Sequence, residues 1–274
     1  MTARPVVLIT GASSGIGAAL ARVFAAHRHD LALVALPDPQ LDVLADQIAA
    51  AARARPITLP FDLTQRDVGP RIAEQLAAHG AEPAFVVNCA GFGLVGAAAE
   101  LDSAEQLAMV DLNVRALTDL SLRFVDSLKR HRGGLLNVAS VSAFLPGPGM
   151  AVYNATKTFV LSFSEALHRE LKPGVRVTAL CSGPVPTRFQ TRAGIRAALP
   201  RALACSPEFV AQEAFAGLMA GQRLVVPGAG NKILRHLLPL IPRVVLLPGK
   251  LWAMRVAMRP PAQRAPTFFR RVLR

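Results

Sequence analysis

The sequence predicts an α/β protein built on a mostly parallel, doubly wound sheet of about seven strands, and three observations carry that prediction. Short apolar, β-branched runs alternate with helix-like runs over most of the chain. The first run leads straight into a glycine-rich turn, Thr10-Gly11-Ala12-Ser13-Ser14-Gly15-Ile16-Gly17, followed by an Ala-rich helical run over 18–26. With 52% hydrophobic residues in 274, the chain can bury a substantial core as one domain.

Strands are expected at 6–10, 31–36, 57–61, 84–88, 134–139, 175–181 and 223–227. After the first, Gly11 permits a sharp exit, while Gly15 and Gly17 let the next helix start close to a bound pyrophosphate and pack on the sheet. Amides at that helix start would face the anion. Ser103-Ala104-Glu105-Gln106 reads as a capping box before a helix, and Ser206-Pro207-Glu208 as an N-cap with Pro in the first turn. Met1-Thr2-Ala3-Arg4 runs into the first strand, so no signal peptide is expected. The organisation predicted is a catalytic domain over 1–230 and an extension over 231–274.

The three cysteines, Cys89, Cys181 and Cys205, are too few and too scattered for a disulfide framework or a C-x-x-C metal site; they read as small buried side chains in a reducing cytoplasm. The six histidines show no ligand spacing, and no metal is expected. Charge is segregated. Residues 1–222 hold 20 Lys and Arg against 18 Asp and Glu, whereas the rest carries 11 cations and no acid, within a net charge of +13. Such a basic end suits an anionic surface. The extension breaks at Pro239, Pro242, Pro248 and Pro260-Pro261 and has no apolar run long enough to span a bilayer. Its amphipathic pieces at 232–238 and 250–258, with Trp252 as an anchor, fit peripheral association with an anionic membrane at its inner face; packing over the substrate cleft or between subunits competes with that reading. Nucleic acid is not expected, because the segment is bulky and aliphatic.

Tyr153 and Lys157 lie four residues apart on a helix-like run, and Ser140 lies thirteen residues upstream. Positions i and i+4 stack on one helix face, so the ammonium can reach toward the phenol and draw its pKa down toward a range useful for proton transfer. As an isolated pattern this would be a surface pair. Here it contains the only tyrosine of the chain.

Taken together, Thr10-Gly11 to Gly17, Asp62, Asn88-Cys89-Ala90-Gly91, Asn113, and Ser140 with Tyr153 and Lys157 resemble the short-chain dehydrogenase/reductase family, in the family's order and over about residues 5–190. The stretch from Ser140 to Leu167 further resembles a bacterial branch of broad reductases. The resemblance implies a Rossmann-type fold, NAD(P) chemistry at a carbonyl or alcohol, and a homo-oligomer. It implies a catalytic tetrad of Asn113, Ser140, Tyr153 and Lys157, in which Asn113 holds a water linking Lys157 to solvent. Cofactor contacts would fall to Gly11, Ser13, Ser14, Gly15, Ile16, Gly17, Asp62 at the adenine, Leu63, Asn88, Ala90 and Gly91, with Tyr153 and Lys157 shared. The loop Cys181-Ser182-Gly183-Pro184-Val185-Pro186-Thr187 would add Gly183, Val185 and Thr187; it has Ser182-Gly183 where the family has Pro-Gly. Residues 188–205 fall where the family carries its substrate-binding segment.

The cofactor form follows from the end of the second strand, where an acid selects NAD and a cation NADP. Ala35 and Leu36 supply neither, and Ser14 stands where some relatives carry a cation, so NADP(H) is favoured over NAD(H) unless Asp38 swings in. Phe144-Leu145-Pro146 and the apolar extension suggest a hydrophobic substrate. Two other functions compete. Gly11-Ala12-Ser13-Ser14-Gly15 also matches the G-x-S-x-G elbow of α/β-hydrolases with Ser13 as nucleophile, but that reading leaves the Tyr153/Lys157 pair unused. A cofactor-binding, membrane-associated scaffold without turnover has no need of a full tetrad.

Overall fold

The computed structural model describes residues 3–51, 54–194, 203–237, 240 and 247–249. Among these, seven strands form one sheet: β1 (Arg4–Thr10), β2 (Leu31–Ala35), β3 (Ile57–Pro60), β4 (Ala81–Asn88), β5 (Gly134–Val138), β6 (Arg176–Leu180) and β7 (Leu224–Val225). Their order is β3-β2-β1-β4-β5-β6-β7, and every neighbouring pair is parallel. The order reverses between β1 and β4, which opens a crevice beyond the carboxyl ends of those two strands.

Among the described residues, ten α-helices cross over between the strands or cover their ends: α1 (Gly15–Ala26), α2 (Pro39–Ala51), α3 (Val68–Ala78), α4 (Ser103–Val110), α5 (Leu117–Arg123), α6 (Val125–Arg130), α7 (Ala151–Glu170), α8 (Arg188–Arg192), α9 (Pro207–Met219) and α10 (Ala229–Leu237). Parallel strands buried on both faces read as continuous apolar runs. In β1, Val7 and Ile9 join Leu20 and Phe24 of α1 and Leu218 of α9 in one layer, while Val6 and Leu8 join Ile72 of α3, Leu120 of α5 and Leu167 of α7 in the other.

Most differences from expectation lie at element ends. β4 begins at Ala81 rather than 84, because a bulge absorbs Pro83: Val6 pairs with Pro83 and Val7 with Phe85, leaving Ala84 as the extra residue. The α4 cap is Asp102, whose carboxylate accepts the Glu105 N–H at 2.8 Å, and Ser103 is the first helical residue. Ser206 caps α9 as expected, accepting from Phe209 N–H at 3.1 Å. The boundary expected at residue 230 falls inside α10, whose buried Asn231 donates to the carbonyls of Pro227 at 2.9 Å and Leu203 at 3.0 Å. The amphipathic piece at 250–258, with Trp252, lies outside the described residues. Among the described residues no helix is long and apolar enough to cross a membrane.

Candidate active site

The crevice at the strand reversal is a cavity of about 1080 Å³. Buried Thr10, at the end of β1, braces the segments that line it. The Thr10 hydroxyl accepts from the N–H groups of Cys89 and Ala90 at 3.0 and 3.1 Å and donates to Val87 O at 3.4 Å, tying the segment after β4 to the glycine turn. The fit there is close: Gly11 has φ +68°, and a Cβ on it would lie 2.8 Å from Ala90 Cα, while one on Gly17 would lie 2.2 Å from Gly11 O. The first turn of α1 carries no acid and Ser14 spends no side-chain bond on it, so its amides suit an anion.

Gly11, Ser13, Ser14, Gly15, Ile16, Gly17, Asp62, Leu63, Ala90, Gly91, Gly183, Val185 and Thr187 all line this cleft, together with Ser140, Tyr153 and Lys157. Loss of hydration works to raise the Asp62 carboxyl, but hydrogen bonds from Thr64 N–H at 2.9 Å and Thr64 Oγ at 2.8 Å outweigh it and hold the group below its ordinary value. Asn88 is a correction. It is buried beneath the cleft, where its amide donates to Ser121 Oγ and Asn137 Oδ1, both at 2.9 Å, and so braces β4 against α5 and β5 rather than lining the cofactor path.

Asn113 sits in a π-helical turn, Asp111–Ala116, between α4 and α5. Wider than an α-turn, such a turn recurs at functional sites. The Asn113 side chain is wholly buried and spent on protein partners: Oδ1 accepts from Phe92 N–H at 3.2 Å, and Nδ2 donates to Phe92 O and Thr156 Oγ at 3.0 and 3.1 Å. It lies directly behind Gly91, where a Cβ would meet Asn113 Oδ1 at 2.9 Å and Lys157 Nζ at 3.3 Å.

Ser140 follows β5 and starts a 3₁₀ turn, Val141–Phe144. Asn154 holds that turn on α7, donating to Ser142 O and Leu145 O at 3.1 and 3.0 Å, and Thr158 Oγ adds a bond to Ala143 O at 3.1 Å. The same helix carries Tyr153 and Lys157, so Ser140 is fixed relative to both. Tyr153 lies beside Ser140, whose side chain works to lower the phenol. Lys157 Nζ donates to Val138 O at 2.8 Å and stands 5.9 Å from the Tyr153 ring centroid.

The titration behaviour departs from what spacing predicts. Burial pushes the Tyr153 phenol up to about 12, with the neighbouring Ser140 side chain opposing, and pushes the Lys157 ammonium down to about 8. An i+4 lysine therefore does not by itself make this tyrosine acidic; both groups are removed from water, and each loses charge by it. Burial also lifts the Cys89 and Cys181 thiols to about 12, leaving them protonated.

One wall was not legible in the sequence. Phe92, Met109 and Tyr153 form an apolar cluster with Leu94, Ala108, Leu112, Met150 and Phe189, drawn from four separate segments. Phe189 packs on Tyr153 with ring centroids 5.4 Å apart, and the Arg192 guanidinium lies 4.4 Å above the Phe92 ring. Phe144, Leu145 and Pro146 are not among the residues that line the cleft; Phe144 packs with Val160 and Val226. Residues 195–202 of the expected substrate segment lie outside the described residues.

Residues 5–196 match the family model described as short chain dehydrogenase. The chain belongs to the short-chain dehydrogenase family. It is 32% identical to an oxidoreductase of Staphylococcus saprophyticus over 66% of this chain and 79% of that one. Among solved structures it resembles a short-chain dehydrogenase from Sphingobium yanoikuyae in complex with NADPH (31% identity, TM-score 0.74, covering 95% of this chain and 98% of that one). It also resembles the bulky-bulky ketone specific alcohol dehydrogenase from Comamonas testosteroni (28% identity, TM-score 0.71, covering 89% and 96%). This short-chain dehydrogenase is thus an NAD(P)-dependent oxidoreductase acting on CH–OH and C=O groups, and neither the hydrolase nor the scaffold reading is favoured.

Proposed function

We propose that this dehydrogenase interconverts a ketone and a secondary alcohol on a bulky apolar substrate, with Tyr153 transferring the proton. A bound nicotinamide supplies or accepts the hydride. Tyr153, protonated at neutral pH by its burial, donates to the nascent alkoxide in reduction and takes the proton back in oxidation. Ser140 orients the substrate oxygen from its place beside Tyr153. Lys157 holds the nicotinamide ribose, and its ammonium stabilises the phenolate left when Tyr153 gives up its proton, while Asn113 packs behind the Gly91 turn that Lys157 also approaches. The observation that carries the substrate class is the apolar cluster around Tyr153, which surrounds the one donor with Phe92, Leu94, Leu112, Met150 and Phe189.

Turnover is to be measured across a panel running from small hydrophilic aldehydes to bulky aryl and alkyl ketones. Phe189→Ala is expected to raise KM for the bulky ketones about tenfold or more, as befits loss of one buried aromatic contact, with a smaller change in kcat. Equal efficiency on small hydrophilic carbonyls, unaffected by that substitution, would remove the apolar-substrate reading.

NADP(H) is favoured over NAD(H) because Ala35 and Leu36 place no carboxylate at the end of β2, and Asp38 is neutralised by an arginine partner. A homo-oligomer belongs to the same reading, supported by the exposed apolar side chains Leu122 on α5 and Phe159 on α7.

A second reading concerns the basic end. On α10, Ile233 and Leu237 are exposed one turn apart beside exposed Lys232 and His236, and the adjoining Leu240 is 76% exposed. That pattern supports peripheral binding to anionic lipid, to which each nearby cation contributes about 1 kcal/mol. The full chain should co-sediment with phosphatidylserine-containing vesicles at low salt and release at high salt, and a chain ending after residue 240 should bind less. Absence of binding by both to anionic vesicles at low salt would end this reading.

A further inference from the structure

β2 ends at Ala35, and the position that meets the adenosine ribose in a doubly wound sheet carries no charge on the strand itself. Two charged side chains reach that part of the cleft from elsewhere. Asp38 follows β2, Arg188 opens α8, and both line the cavity with Ser14, Ala35 and Leu36. Arg188 Nη1 donates to Asp38 Oδ2 at 3.2 Å, across 150 residues of chain. The other carboxylate oxygen, Oδ1, accepts the Gln40 N–H at 2.9 Å at the start of α2, so Asp38 is held on one side by its own helix and on the other by α8.

The pair is too exposed to matter much for stability: the arginine side chain is 67% accessible and the aspartate 27%. Its placement matters more. An unpaired Asp38 would accept from a ribose 2′-hydroxyl and repel a 2′-phosphate; paired, its charge is offset. A guanidinium has five N–H donors, and the bond to Asp38 uses one. Resting on the NADP(H) preference proposed above, we propose that Asp38 and Arg188 together select the dinucleotide, with Arg188 masking the carboxylate and offering its remaining donors to the 2′-phosphate. Arginine suits that role because its planar fork binds phosphate oxygens in pairs. Selection by this route draws its cation from the segment after β6, so the residue that reads the phosphate is the chain neighbour of Phe189, which packs on Tyr153.

The test is cofactor affinity in the full chain, read by nicotinamide fluorescence for NADPH and NADH and by competition with 2′,5′-ADP and 5′-AMP. Arg188→Gln is expected to weaken NADPH and 2′,5′-ADP about 10- to 100-fold, the range of a charge-assisted bond, with 5′-AMP unchanged and NADH unchanged or tightened. Arg188→Lys should keep most of the phosphate preference, and Asp38→Asn should tighten NADPH while weakening NADH. If Arg188→Gln shifts NADPH and NADH by the same factor, or shifts neither, the proposal is overturned; the 5′-AMP control separates that result from collapse of the cleft. Should the wild type prefer NADH, the NADP(H) preference fails on its own, and the pair stands only if Arg188→Gln still lowers the ratio of NADPH to NADH affinity.

Discussion

Tyr153→Phe is expected to lower turnover by at least about 10²-fold, the loss that follows removal of a general acid or base, while dinucleotide affinity stays unchanged. The ring is buried among Phe92, Met150 and Phe189, so phenylalanine fills the same space and the apolar wall persists. What disappears is the hydroxyl, and with it the polar contact with Ser140. Ser140 keeps the bond it accepts from Ser142 N–H at 3.1 Å, and folding stability should change by no more than about 1 kcal/mol. The decisive comparison is kcat/KM beside the dissociation constant of the reduced cofactor. Near-normal turnover in the variant would sink the proposed mechanism.

The second large effect separates activity from stability. Lys157→Met should lower turnover by at least about 10²-fold and weaken the dinucleotide about tenfold, because the ribose loses a charged partner. Stability should respond with a pH signature. Burial lowers the ammonium from 10.5 to about 8, so between those values the unfolded chain binds a proton that the folded chain has released. Wild-type stability therefore gains from this group as pH rises through that window, and below it the buried charge costs about 3 kcal/mol. Methionine removes that cost but strands Val138 O, which loses the 2.8 Å bond from Nζ, at about 1–3 kcal/mol. Relative to wild type, the variant should thus stand best below pH 8 and lose ground steadily toward 10.5. Cys89 and Cys181, raised to about 12, act with the opposite sign above 9, and Lys157 itself lowers both, so the comparison is read below that pH. Denaturant unfolding at several pH values measures the difference. A difference that does not vary with pH would refute the assigned cause.

Local rules reached a long way into this molecule. The β1 run, the glycine turn and α1 were legible because strand, turn and helix each depend on adjacent residues: Gly11 needs its positive φ, and Gly17 leaves no room for a Cβ beneath Gly11 O. Ser206-Pro207 could be read as a cap for the same reason, its partner Phe209 N–H being three residues away. Where a local rule met a competitor it slipped. Asp102 took the cap that Ser103 seemed to offer, and a bulge carried Pro83 into a strand that proline would ordinarily end.

Other features depend on residues far apart in the chain. Asn88 belongs to a pattern that reads as cofactor-lining, yet its amide is claimed by Ser121 and Asn137, partners 33 and 49 residues away. The apolar wall around Tyr153 is assembled from loops and helices that no periodicity connects, which is why Phe144-Leu145-Pro146 looked the better source of it. The upward shift of Tyr153 required knowing that the phenol and the ammonium are both out of water, a quantity that four-residue spacing does not contain. Sequence alone determined the α/β class, the order of the strands and helices, and which side chains could carry redox chemistry, since these rest on short-range geometry and residue chemistry. Only the tertiary structure decided which of those side chains meet in the cleft, how burial shifts their protons, and that Arg188 comes to rest on Asp38, because contact and desolvation are properties of the packed chain.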